Sequence, residues 1–368
     1  IEMNSNTAST EAGAVTILNP RGTPPVVELV PLAPRLDGLD GKTIYIVDVN
    51  FPDTEGFYEA AKAVLSERYP QTTWVVKSKS GSFFEEDPAF WAEIKEKADG
   101  AIVGPGHLDT LGPAVIGWCA KLEKMGVPAV PLICAMFPDM EKQTAVQKGV
   151  PHMRITYIPY HVLGVSAADS RKNLEADDPV SGKPVLQEIV DGLTKLVTAE
   201  EAKTGVLERP VPRLLEPDTP ANLQRMFIEK GWTDYLPVVL PTEQRVAEML
   251  KGTSHKPHEV VGKMAPCAPQ EAWTYTVEQV AVNAVMAGAR PEHFPVILAI
   301  ASTGQTSLWS SVTSQTRMAV VNGPVRREID MNSGIGALGP FNEANAVIGR
   351  SWTLVSKNLG NGGVVGST

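Results

Sequence analysis

The chain has little cysteine, no surplus of positive charge and no long apolar run. Its 368 residues include only three cysteines, Cys119, Cys134 and Cys267. The count is odd and no Cys-x-x-Cys spacing occurs, which argues against a disulfide framework or a zinc ribbon. Reduced thiols in a cytoplasmic protein are expected instead. Lys and Arg number 33 against 42 Asp and Glu, a net charge of −9. That balance argues against a nucleic-acid partner, which needs concentrated basic residues for the phosphate backbone. Without an 18-residue apolar stretch, no membrane span is expected. The N-terminus lacks a basic region followed by an apolar core, so no secretory signal is expected there. No Gly-x-Ser-x-Gly elbow, phosphate-binding loop or His-Glu-x-x-His occurs, and no repeat has a fixed period. The ordinary hydrolase, NTPase and zincin readings therefore lose their usual signs.

What is present has ordinary globular composition, 43% apolar and 20% charged, in a length suited to two domains. Residues 1–38 read as an extended N-terminal arm, polar at first and then Pro-rich (Pro20, Pro24, Pro25, Pro31, Pro34). Such an arm buries little by itself and needs a surface to lie on, so a homo-oligomer is expected, with the arm crossing a subunit boundary. Residues 39–204 alternate apolar runs with amphipathic segments. Strands are expected at 42–49, 72–76, about 101–103 and 127–134, and helices at 54–68, 88–98, about 113–125 and 184–203. This is a β-α-β-α-β-α-β order, which right-handed crossovers wind into a parallel, doubly wound α/β sheet. Residues 205–219, with Pro210, Pro212 and Pro217, read as a linker. Residues 220–368 are expected to form a second α/β domain. In it, helices are expected at 222–230, 242–251, 276–289 and 342–359, and strands at 295–302 and 318–321. The third of these helices has a capping box, Thr276 with Gln279, and Gly288 near its end.

The most informative stretch is 99–134, a strand, a Gly-Pro-Gly turn, the polar cluster His107, Asp109 and Thr110, a helix and a strand. Open α/β sheets bind ligands where strands end. His107 suits a general base, Asp109 an orienting group or acid, and Thr110 an anchor for a substrate oxygen. The plainer reading is a turn in which Asp109 or Thr110 caps the helix. Asp48 and Asn50 end the first strand beside it, as substrate groups or as turn formers. Lys77 and Lys79, after the second strand, could hold a carboxylate or phosphate or stand in solvent. In the second half, Asn322, Asn332, Ser333, Gly334 and Gly336 belong to a Gly- and Asn-rich string. Its backbone N–H groups suit an anion, and Arg317 suits a carboxylate. A tight packing turn and a surface loop are the alternatives there. The Gly-x-Gly-x-x-Gly spacing at 334–339 runs straight into Pro340 and has no acidic residue after a second strand, so a dinucleotide is not implied. His255 and His258 have an HxxH spacing with Lys and Pro between them, and no metal or cofactor is expected.

Four segments resemble the UGSC-like proteins: Ala33-Pro-Arg-Leu-Asp-Gly-Leu-Asp-Gly-Lys-Thr-Ile, the strand-end Asn50, the Gly104 turn and Leu122-Glu-Lys-Met-Gly-Val-Pro. The second half is similar to larger members at Val280–Ala289, at Val321-Asn-Gly-Pro and at Asn332–Pro340. That family is named for a selenocysteine/cysteine-Gly-Ser-Cys motif and looks distantly similar to selenoprotein B subunits of glycine, sarcosine and betaine reductases. By that resemblance the redox pair falls on Gly106 and Asp109, neither of which forms a thiol or selenol. The expected function is therefore acid–base chemistry on a small carboxylate or amide bound between the two domains, as a lyase, hydratase or hydrolase. The alternatives are a non-catalytic or partner-dependent subunit, and thiol-dependent reductive cleavage of a carbon–heteroatom bond.

Overall fold

A computed structural model describes residues 13–266, 270–310, 314–339 and 341–362. Five strands, β1 (Thr43–Asp48), β2 (Thr73–Ser78), β3 (Gly100–Gly106), β4 (Ala129–Cys134) and β5 (Thr156–Ile158), form one sheet. All pairs are parallel and the spatial order is β2-β1-β3-β4-β5. The connections are α1 (Glu55–Arg68), α2 (Pro88–Lys97), α3 (Leu108–Lys124) and α4 (Pro138–Gln147), and α5 (Ala167–Glu175) and α6 (Val185–Thr194) follow β5.

Side-chain alternation along the strands makes two cores. Ile44 and Ile46 of β1 pack with Phe57, Val64 and Leu65 of α1 and Ile189 and Leu193 of α6. Tyr45 and Val47 point the other way, into Trp91 and Ile94 of α2 and Leu111, Val115 and Leu122 of α3. Both faces of the sheet are therefore buried, as the apolar character of β3 and β4 requires. The expected doubly wound sheet is found, with β5 and α4 and α5 added beyond the elements expected from periodicity. Helix α6 stops at Thr194, short of the expected Lys203. Arg154 takes the carbonyls of Asp191, Lys195 and Leu196, and its guanidinium also binds Glu201. These bonds turn the chain away from the helical path.

The second half is mainly helical. It holds α7 (Pro220–Glu229), α8 (Glu243–Met249), an antiparallel pair β6 (Val260–Met264) and β7 (Trp273–Thr276), α9 (Val277–Met286), α10 (Phe294–Ser302) and α11 (Glu343–Asn358). The Thr276–Gln279 capping box forms, and Asn342 caps α11 through Asn345 N. The strand expected at 295–302 is instead α10, packed between α9 and α11. Its Val296, Ile297, Leu298 and Ala301 are buried, and a short apolar run does not by itself distinguish a helix from a strand. Residues 318–321 form no strand, and Met318 and Val320 are exposed.

The N-terminal arm lies on its own chain. Val15 and Leu18 bridge to Asp218 and Leu214 of the linker, Glu28–Leu29 pair with Gly205–Val206, and Thr23 bridges to Thr274 of β7. Ile17 and Leu18 are fully buried in the core of the second half, with Phe227, Val280 and Leu354. The surface that the arm needs is thus supplied within the chain.

Candidate functional site

In the order β2-β1-β3-β4-β5, the chain leaves β1 toward one edge and β3 toward the other. Helix α1 covers one face and α3 the opposite face. The strand ends of β1 and β3 therefore flank the crevice where doubly wound sheets bind ligands. Asp48 ends β1, and His107 follows the last residue of β3.

Local geometry at β3 is tightly specified. Gly104 has φ +130°, and a Cβ there would stand 2.3 Å from the carbonyl oxygen of Leu132 on β4. Only glycine fits that backbone against its neighbour. The register with β4 shifts between Val103 and Gly106, a bulge that re-aims the chain as it leaves the sheet. His107 is then extended at φ −140°, and Leu108 is left-handed at φ +65°. A bulky non-glycine residue in that region is strained, and such strain gathers at functional turns.

His107 is the N-cap of α3 but makes no capping bond. It is 7% exposed, and neither ring nitrogen has a hydrogen-bond partner. Burial, and then the charge of His161 on the loop after β5, hold it below the ordinary imidazole range. It is therefore a neutral base at neutral pH. The side chain of Asp109 lies outside the described residues; its backbone is in the first turn of α3, as is that of Thr110.

Across the crevice, the Asp48 carboxylate accepts bonds from Asn50 N at 2.7 Å and Ser78 Oγ at 2.6 Å. Asn50, at φ +63°, donates its side-chain amide to Gly81 O at 2.6 Å, tying the loop after β1 to the loop after β2. Tyr58 lies buried nearby, and its hydroxyl is pushed well up by burial and then by Asp48. On the other flank, Glu141 of α4 is 1% exposed, and its Oε2 has no partner. Burial raises it well above the usual carboxylate range. A Cβ on Gly112 of α3 would stand 1.9 Å from Glu141 Oε1, so glycine is what admits the carboxyl. Periodicity gave no sign of this group; a lone Glu in an α4 segment that begins Pro-Asp was the only trace.

The two described cysteines are protonated thiols. Burial pushes Cys134 up to about 12 and Cys119 well above its usual value. Neither is an activated nucleophile.

The remaining expected site residues stand elsewhere. Lys77 lies within β2, level with Val47 of β1, and pairs with Glu93 of α2 at 2.5 Å. The lysine at the strand end is Lys79, buried, with its ammonium held by the carbonyls of Ser80 and Ser82. Arg317 and Asn322 are exposed in the second half. Asn332, Ser333, Gly334 and Gly336 form a loop whose polar groups serve the loop itself. Asn345 of α11 bonds both backbone groups of Asn332 and the carbonyl of Ala337, Asn332 Oδ1 accepts from Gly334 N, and Arg326 binds Ser333. Among the described residues no hydrogen bond or ion pair links this loop to the strand ends.

Residues 16–181 match the model of the UGSC family. The matched stretch runs from the arm through the whole five-stranded sheet to the turn before α6, so this domain is the UGSC part of the chain. The likeness read in the second half lies outside it. No curated protein matches the chain. In the UGSC domain the Gly104 turn and His107 stand at the sheet's switch point. The Ala33–Ile44 and Leu122–Pro128 segments are joined by Arg35 and Glu123.

Proposed function

We propose that the chain is a small-molecule enzyme working by acid–base chemistry at the β1/β3 crevice, on a small carboxylate or amide. One observation carries the reading: a buried imidazole with both nitrogens unpartnered, set on a strained turn at the sheet's switch point. An unpartnered buried polar group costs stability, and such a cost is retained where a ligand supplies the missing partner. His107 takes a proton from the substrate or its attacking water. Asp109 serves as the acid and Thr110 anchors a substrate oxygen. Asp48 and Asn50 line the facing wall. The reaction class is that of a lyase, hydratase or hydrolase. A cytoplasmic setting suits the reduced thiols.

A thermal-shift screen of small carboxylates and amides tests the reading, because a true ligand raises the melting temperature by mass action. The shift given by a hit should disappear in His107→Ala, and turnover should drop by roughly 10²- to 10⁴-fold. An unchanged shift and rate in that variant would remove His107 from the chemistry.

The second reading, a partner-dependent subunit, is favoured by a different observation. Ile335, Leu338 and Phe341 are each at least 80% exposed beside the Asn345-clamped loop. Large apolar groups gathered in one exposed place suit an interface. A second copy of the chain, giving a homo-oligomer, is one such partner. Sedimentation of Phe341→Ser against the parent chain distinguishes it.

A further inference from the structure

A second cleft lies on the outer face of α3, away from the strand ends. It encloses about 670 Å³ between α3, the loop after β2 and Gln270 of the second half. The α3 face that floors it carries Pro113, Ala114 and Gly117, which present little side chain and leave the space open. Gln270 is 6% exposed, yet neither its Oε1 nor its Nε2 has a hydrogen-bond partner. A buried primary amide with both ends unmet is costly, and it offers one acceptor and two donors to whatever enters.

The other walls define the complement. Trp118 is held by its Nε1 donating to Phe83 O at 2.9 Å and by stacking on Trp91 at 5.0 Å. It is a rigid aromatic wall, and Phe84 stands exposed at the rim. Lys121 and Lys148 reach the same space, with Glu86, bonded to Lys121, as the opposing carboxylate. The stem of Lys148 passes 3.7 Å from where a Gly117 Cβ would stand. An aromatic wall, an amide that pairs edge-on and two ammonium groups together suit a planar nitrogen heterocycle with an anionic tail. Glutamine pairs bidentately with the N6/N7 edge of adenine, and aromatic side chains stack on any base.

We infer that this cleft is a binding site for an adenine mononucleotide, separate from the β1/β3 crevice. Gln270 reads the base, Trp118 stacks on it, and Lys121 and Lys148 hold the phosphate.

Calorimetric titration of the full chain with AMP tests this, with CMP and inorganic phosphate as comparisons. Saturable AMP binding is expected, about tenfold or more weaker in Gln270→Ala. It should be lost in Gly117→Leu, which fills the cleft at a helical position with no backbone contact to disturb. His107→Ala should bind AMP like the parent, which separates this site from the catalytic reading. Absence of saturable AMP heat at millimolar concentration overturns the inference. So does phosphate or CMP binding as tightly as AMP, or AMP affinity unchanged in both cleft variants while they keep the parent's melting temperature.

Discussion

Arg35 and Glu123 form a bidentate ion pair with no side-chain exposure, both contacts at 2.9 Å, across 88 residues of sequence. Glu123 also accepts from the backbone N–H groups of Ala33 and Ala129. One carboxylate thus joins the arm, the end of α3 and the start of β4. A buried charge is tolerable when every lone pair is used in this way. Arg35→Met should therefore leave a buried, uncompensated carboxylate and destabilise the UGSC domain by about 3–5 kcal/mol. The double variant Arg35→Met/Glu123→Leu should recover much of that loss. Urea denaturation of the three chains measures it, and equal stability of single variant and parent would refute the role.

Glu141 makes a prediction with the opposite sign. Its folded carboxyl ionises well above the unfolded value, so the fold binds the extra proton. Stability is then lost as pH rises above about 4.5, by up to about 1.4 kcal/mol per pH unit until the folded group itself ionises. Glu141→Gln carries no such charge. Its melting temperature relative to the parent should climb as pH rises above about 4.5. A flat difference would show that Glu141 is ionised in the fold.

His107 and His293 are both held below the usual imidazole range, chiefly by burial. The unfolded chain takes up their protons near pH 6.5 and the folded chain only at lower pH. Their contribution to stability is complete above about 6.5 and falls as pH drops below it. His107→Asn should lessen the slope of stability against pH between 6.5 and 5. The acid limb of any rate profile should likewise lie below pH 6.5, and a limb above it would assign the base elsewhere.

Gly104 should tolerate no side chain. Gly104→Ala sets a Cβ against the Leu132 carbonyl on a φ that alanine avoids. A loss of more than about 2 kcal/mol is expected from strain and the broken fit together. Gly126→Ala, at φ +86° in open space, should cost less, about 1 kcal/mol, from the backbone alone. If the two variants melt together, the close approach at Gly104 does not matter.

Much of the UGSC domain was legible because its signals are local. The apolar runs at 43–49 and 127–134 depend only on neighbours a few residues away, as does the capping box at Thr276 and Gln279 in the second half. The β-α alternation then restricts topology, because crossovers have one hand. The placing of Asp48 and His107 at strand ends followed from that alone. The fate of other groups was not local. Lys77 and Lys79 look alike in sequence, yet Lys77 pairs with Glu93 of α2, while Lys79, past the end of the strand, is buried with its ammonium on the carbonyls of Ser80 and Ser82. Asn332 reads as a ligand group because polarity is visible in a sequence and partners are not.

By itself the sequence determined a parallel, doubly wound domain with a polar strand-end cluster and without a thiol pair at the motif. Residue type and spacing carry that much, since propensity, capping and alternation are short-range. Tertiary structure alone decided that the arm folds onto its own chain, that α10 is a helix and that α6 stops at Arg154. It also decided that His107, Glu141 and Gln270 are buried with polar atoms unmet. Burial and hydrogen-bond satisfaction are sums over neighbours brought from tens or hundreds of residues away, and no local pattern encodes them.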